Sequence, residues 1–220
     1  AKDNALVYGP VELKVHAGQA AEYGIGEKST SPTVLDAVIA AHKEKYGEAF
    51  TSANAETYVN SGLTTLFQNT GYGGHILNGH YSSDYAPQAE LKNGDVVDTF
   101  LYHGTYDDNY VAFYEDENIV REIQTTTSDM IELTAKSFNI MGAGSGETWE
   151  IRPALSLGTT DGNGTFTSKG IATDETGKAT LSFDTEGTYI LTANGGSTSI
   201  VPPWCKITVL KGMTEEEQQQ

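Results

Sequence analysis

Cations, cysteine, tryptophan and long apolar runs are all scarce in this chain, and each scarcity removes a class of function. Thirteen lysines and arginines stand against thirty aspartates and glutamates, a formal charge of −17. A surface this acidic repels phosphate backbones and anionic bilayers, so nucleic acid is not expected as a partner. The single cysteine, Cys205, cannot form an internal disulfide. Beside Trp204, Ile207 and Val209 it reads as a small buried hydrophobe on a strand. No apolar run approaches the roughly 18 residues that a membrane span needs. Catalytic signatures are missing as well: there is no phosphate loop, no G-x-S-x-G elbow and no H-E-x-x-H. "AGSGE" (143–147) lacks the glycine spacing of a nucleophile turn and reads as a loop. "DGNGTFTSKGIA" (161–172) opens like a calcium loop, but its sixth residue is Phe166 and its twelfth Ala172, so a polar turn is the better reading. His75, His80 and His103 follow no strong zinc spacing. No catalytic residue, metal ligand or cofactor is therefore expected.

What is present divides into two styles. "STSPTVLDAVIAAHKEKYG" (29–47) is the best helix: Ser31 can cap it, Pro32 suits its first turn and Gly47 ends it. Val34, Leu35, Val38, Ile39, His42 and Tyr46 recur at helical spacing, which makes His42 a core-edge histidine rather than a ligand. "ALVYGPVELKVHAG" (5–18) alternates like a strand pair or one long strand, and "FTSANAETYVNSG" (50–62) holds at most one further helical turn. After Gly62 come short strands, "LTTLFQ", "GGHILNG", "GDVVDTFLYH", "NYVAFY" and "NIVREIQ", divided by turn residues. Asn78-Gly79 and Asn93-Gly94 are the sharpest turns. From about residue 126 strands follow one another without a helix, as in a sandwich. The expected fold is α+β over residues 1–125, followed by all-β over 126–212, with 213–220 a polar linker. The opening "AKDNALVYGP" reads as the interior of a longer, multi-modular protein, of which this would be a monomeric module.

The second style resembles bacterial Ig-like domains of surface proteins, on "GIATDETGKATLSFDTEGTYILTANG" (170–195) and "PPWCKITVLKG" (202–212). In that phrase Leu181, Phe183, Tyr189 and Leu191 alternate onto one core face. The first resembles the transcobalamin-like C-terminal domain family, on "TVLDAVIAAHKEKYG" (33–47), "GGHILNGHY" (73–81) and "LKNGDVVDTFLYH" (91–103). That resemblance implies a β-grasp-like sheet crossed by one helix. The tandem of the two is found in surface proteins of gut Firmicutes, which implies an extracellular, cell-surface or secreted location and a role in anchoring, spacing or adhesion.

Tyrosine supplies the remaining signal. Seven of twelve lie between residues 72 and 114, and between 72 and 120 only Lys92 is basic, histidines aside. Several sit in turns ("GYGGH", "HYSSDY", "GTYDDNY"), whereas Tyr102 and Tyr114 fit a core. Tyrosines among acids and amides suit a neutral, hydroxyl-rich ligand, with rings stacking on sugar faces and polar groups bonding to hydroxyls. The candidate carbohydrate-binding residues are Tyr72, Tyr81, Tyr85, Tyr106, Tyr110 and Trp149, with His75, Asp84 and Asn109 as hydrogen-bond partners. Two separated tryptophans cannot form the coplanar row that suits flat chains. Many loop tyrosines can line a curved groove, so a neutral α-glucan such as starch is expected ahead of cellulose or mannan. The competing readings are a structural spacer or protein-adhesion module with no small ligand and, behind it, a cobalamin-type binder. The tyrosines themselves have a plainer reading, as ordinary strand residues of a β-rich domain.

Overall fold

The computed structural model describes residues 1–102 and 108–212. His103, Tyr106 and the expected linker 213–220 lie outside the described residues. Contacts divide the described chain into two compact units. Unit 1 takes residues 1–3, 11–102 and 140–147, and unit 2 takes 4–10, 108–139 and 148–212. Strand outweighs helix throughout, with one main helix. The division falls at residue 108, not at 126, because the strands over 109–126 pair into the sheets of unit 2.

Unit 1 opens with a short helix, α1 (Gln19–Glu22), followed by the main helix, α2 (Val34–Tyr46). The cap of α2 is Thr33, two residues beyond the expected Ser31. Thr33 Oγ1 accepts from the Asp36 backbone N–H at 3.3 Å, and the Asp36 carboxylate accepts from the Thr33 N–H at 3.0 Å, a reciprocal capping box. Pro32 consequently stays outside the helix, and its carbonyl accepts from Leu91 N–H. Asp36 is buried, and it also accepts from Ala20 N–H at 2.7 Å and Ser29 Oγ at 3.0 Å, joining α1, the intervening loop and α2. Gly47 ends the helix at φ 56°, a conformation that suits glycine. The core of the unit gathers Val34, Leu35, Val38 and Ile39 of α2 with Phe50, Val59, Leu63 and Leu101.

His42 belongs to that core. Its Nδ1 lies 2.7 Å from Val38 O, and its Nε2 accepts from Phe67 N–H at 2.9 Å, which sets the Nδ1–H tautomer. Its ring stacks on Phe67 at 4.0 Å. Burial pushes its pKa down to about 4.

Two strands, β1 (Thr65–Leu66) and β2 (Asn69–Thr70), form a small hairpin. Then β3 (Gly73–Leu77), β4 (His80–Tyr81) and β5 (Val97–Leu101) form an antiparallel sheet in the order β4-β3-β5. Asn78-Gly79 makes the turn between β3 and β4, with φ of 56° and 83° as a type I′ turn requires. The segment after β4 returns to the helix: Ala86 and Ala89 carbonyls accept from Leu35 and Val34 N–H, satisfying donors that the first turn of α2 leaves open.

Unit 2 is two sheets around one core. The strands are β6 (Asn109–Glu115), β7 (Asn118–Ile119), β8 (Glu122–Thr126), β9 (Ile131–Asn139), β10 (Glu150–Ile151), β11 (Ser156–Thr160), β12 (Thr167–Ala172), β13 (Lys178–Leu181), β14 (Gly187–Asn194), β15 (Ile200–Val201) and β16 (Trp204–Leu210). One sheet runs β10-β9-β6-β15, with β13 on β9 and β7 on β6; the other runs β12-β11-β14-β16-β8. Strand β8 lies parallel to β16, and every other pair in that second sheet is antiparallel. Alternate residues face inward, among them Val111, Phe113, Leu133, Leu157, Leu181, Leu191 and Ile207. Tyr189 packs on this core, stacks near Phe183 with ring centroids at 4.5 Å, and donates its hydroxyl to Thr185 O at 3.0 Å.

Residues 5–18 form neither the strand pair nor the long strand that their alternation suggests. Unit 2 takes the segment up to Pro10 and unit 1 takes it from Val11, so no neighbouring strand pairs along its length. Asn4 and Leu6 bond instead to unit 2, through Ile200 N–H and Gly164 N–H.

Cys205 is fully buried, and burial pushes its thiol up to about 12. In the folded protein it is expected to resist Ellman's reagent at neutral pH and to react at once in denaturant. Rapid labelling of the native chain would contradict its place in the core.

Candidate ligand-binding surface

Residues expected to form one site fall on both units. Unit 1 carries Tyr72, His75, Tyr81, Asp84 and Tyr85; unit 2 carries Asn109, Tyr110 and Trp149. Tyr106 lies outside the described residues.

Register sorts those of unit 1. Directly opposed residues in an antiparallel pair share a face. Ile76 opposes Asp98 on β5 and Tyr81 on β4, and Gly74 opposes Phe100. The ladder extends one pair beyond β3, since Tyr102 N–H donates to Tyr72 O at 2.8 Å. Tyr72, Gly74, Ile76, Phe100, Tyr102 and Tyr81 therefore occupy one face. Gly74 is required there: an added Cβ would lie 2.9 Å from the Phe100 ring. Tyr102 stands edge-on to Phe100 at 5.1 Å.

A third piece of unit 1 lies against this face. The segment 140–147, which includes the "AGSGE" stretch (143–147) that reads as a loop, brings Met141 Sδ within 3.8 Å of the Tyr102 hydroxyl. Its Glu147 carboxylate accepts from the Tyr81 backbone N–H and pairs with His80 Nδ1 at 2.9 Å. The sequence signals nothing of this pairing, because Glu147 stands 66 residues from Tyr81 and is one acid among thirty. Tyr72 and Tyr81 mark the two ends of the face. Four strand positions separate Tyr72 from the pair Ile76–Tyr81, a span of about 13 Å. Tyr72 is 63 % exposed and Tyr81 37 %.

Tyr85 is 75 % exposed on the segment that caps α2. Asp84 beside it is also exposed. His75 is not available as a surface hydrogen-bond partner. It lies on the opposite face of β3 from Tyr72, beside Thr99, and is only 7 % exposed. Burial lowers its pKa, partly offset by the charge of Asp84, and its Nε2 has no hydrogen-bond partner.

The three residues of unit 2 do not form a loop platform. Tyr110 is a β6 residue only 1 % exposed. Both faces of β6 are covered: Val111 and Phe113 point into the core, while Tyr110 and Tyr114 point outward under Trp149. Trp149 meets Tyr110, Tyr114 and Phe138 edge-on at 6.1, 5.4 and 4.7 Å. It is half-buried as the lid of this aromatic cluster. Tyr110 also receives a hydrogen bond from Arg121, whose guanidinium stacks on Trp204 at 4.5 Å. Asn109 pairs with Asn139 across the sheet.

Among the described residues no group of three or more His, Cys, Asp or Glu is placed to hold a metal ion. No described helix is long and apolar enough to cross a membrane. No protein-family model matches the sequence, and no curated protein does so either.

Proposed function

We propose that this chain is a non-catalytic, extracellular carbohydrate-binding module for a neutral glycan. An α-glucan such as starch stands ahead of cellulose or mannan as the ligand. The observation that carries the reading is the distribution of exposed rings: among the described residues the large hydrophobic side chains that face solvent include three aromatics, and all three, Tyr72, Tyr81 and Tyr85, lie within residues 72–85 of unit 1. Tyr72 and Tyr81 sit at the two ends of one sheet face whose middle, at Ile76 and Phe100, is buried, so the two rings offer separate stacking contacts to a curved chain. Asp84 and the acid-rich surroundings supply acceptors for hydroxyls, and the charge of −17 disfavours a polyanion.

In the same proposal unit 2 is an Ig-like sandwich. Support comes from its strand order, with β6-β9-β13 facing β8-β16-β14-β11-β12, and from the Tyr189 hydroxyl closing the corner before β14. Unit 1 is β-grasp-like, supported by α2 packing with Leu101 and Val97 of β5 in one core. Both would serve a longer, multi-modular bacterial surface protein. A spacer or adhesion role is the second reading, and the sandwich topology favours it.

Electrophoresis of the chain through gels containing amylopectin, hydroxyethylcellulose or galactomannan separates these readings. Retardation by amylopectin above the other two is the expected result. Equal mobility in every gel would leave the spacer reading in its place.

A further inference from the structure

The open edge of the sandwich in unit 2 carries a groove of about 330 Å³, lined by Thr159, Thr167, Ser168, Lys169, Phe183, Asp184, Thr185 and Tyr189. Its most informative residue is Lys169. Along β11 and β12, Leu157 opposes Ile171 and the next residue, Gly158, opposes Ser168, so Lys169 and Gly170 are extra residues on β12. Bulges of this kind re-aim side chains. Gly170 takes φ 69°, and its N–H bonds to Ser168 Oγ at 3.1 Å, which fixes the bulge. The result places the Lys169 ammonium 4.1 Å above the Phe183 ring. In a chain with thirty acids, this ammonium has no carboxylate within 4 Å among the described residues, although Asp184 lines the same groove.

The groove thus presents a fixed cation, a carboxylate and four threonine or serine side chains beside the half-exposed ring of Tyr189. Tyr189 is immobilised by its bond to Thr185 O, so its ring forms a rigid wall. A donor and an acceptor held apart, flanked by hydroxyls and one aromatic wall, match the adjacent hydroxyls and apolar face of a sugar ring. The volume lies at the small end of ligand sites.

We propose that this groove is a second glycan subsite that takes the end or a short segment of a neutral oligosaccharide. Lys169 donates to one hydroxyl, Asp184 accepts from its neighbour, and Tyr189 packs on the ring. It shares its ligand class with the proposed function but none of its residues. One such subsite binds weakly.

The test is a titration of the ¹⁵N-labelled full chain with maltotriose, followed by amide shifts, on wild type and on Lys169→Met and Asp184→Ala. Lys169→Met keeps an unbranched side chain against Phe183 and removes only the ammonium. Saturable shifts at residues 159, 167–169 and 184–185 are expected, weakened at least about tenfold in either variant. Shifts confined to residues 72–85 would overturn the groove and leave the tyrosine face standing. Shifts confined to the groove would support it and overturn the tyrosine face. Groove shifts unaltered in both variants would also overturn the proposal.

Discussion

Replacing Asp36 with alanine is expected to destabilise unit 1 by about 3–5 kcal/mol, a large loss for the substitution of a single buried polar residue. The buried carboxylate accepts from Ala20 N–H, Ser29 Oγ, Thr33 N–H and Thr33 Oγ1. Alanine leaves two backbone donors and two hydroxyls without this acceptor, all but the Ser29 hydroxyl buried, and each buried donor left open costs about 1–3 kcal/mol. It also removes half of the capping box at the start of α2, while the Thr33 half no longer has its partner's restraint. Asp36→Asn should cost less, since the amide oxygen can keep some of these bonds. The comparison is made by urea unfolding followed by far-UV circular dichroism, with amide exchange in α2 as the local readout. A loss below about 1 kcal/mol for Asp36→Ala would mean that this junction does not hold the helix in place.

Acid should weaken unit 1 through His42. The unfolded histidine binds a proton below its ordinary value near 6.5, whereas the folded ring remains neutral down to about 4. Between those values the unfolded state binds more protons, so stability falls as pH falls. The contribution is fully present above about pH 6.5 and is lost by about pH 4, amounting to about 3 kcal/mol. Below that the two states are protonated alike and the slope vanishes. The cause is geometric. Nδ1–H donates to Val38 O and Nε2 accepts from Phe67 N–H, so a second proton would break the Phe67 bond as well as bury a charge. Asp95, Asp161 and Asp174, held below the usual carboxylate range by hydrogen bonds, lose their protective effect only at lower pH. The windows are therefore separable. The His42 Cε1 proton shift should stay at its neutral position down to about pH 5, and His42→Gln should flatten the slope of stability against pH. A ring that titrates near 6.5 in the folded protein would contradict the buried geometry.

Helix α2 shows what periodicity can and cannot convey. Its apolar face is legible from Val34 to Tyr46, because burial repeats with the turn of the helix. Its start is less legible, since Ser31, Pro32 and Thr33 all suit a helix beginning. The reciprocal bonds of Thr33 and Asp36 decide between them, and Pro32 is drawn outward by Leu91. Strands after residue 126 are legible for the same reason as α2, each with its own alternation. Alternation is silent, however, about which sheet a strand joins. "NYVAFY" follows the hairpins of unit 1 in sequence, yet pairs with β9 across some twenty-five residues of chain. It also explains Tyr110. A strand with one covered face leaves alternate residues in water, but β6 is covered on both, and the cover on the second face is Trp149 from a distant segment. Residues 5–18 alternate as well as any strand here and find no ladder partner, because alternation records exposure and not pairing.

At the tyrosine face, composition pointed to the segment and register then sorted it. Tyr72 and Tyr81 share a face because of the Asn78-Gly79 turn, which sets β3 against β4 so that Tyr81 opposes Ile76. His75, one residue earlier on β3, is turned to the interior by the same pleat. The middle of β3 is covered on both faces, by His75 on one and Ile76 on the other, so the rings of Tyr72 and Tyr81 reach solvent only at the two ends of their face.

The central claim, that these rings bind an α-glucan, is tested most directly by affinity electrophoresis in amylopectin of the wild type beside Tyr72→Ala, Tyr81→Ala and Tyr85→Ala. Each true stacking ring should contribute about 1–3 kcal/mol, so that its loss weakens binding about 5- to 150-fold. Retardation of the wild type, reduced in Tyr72→Ala and Tyr81→Ala, is the predicted result. Wild-type retardation that persists undiminished in all three variants would contradict it.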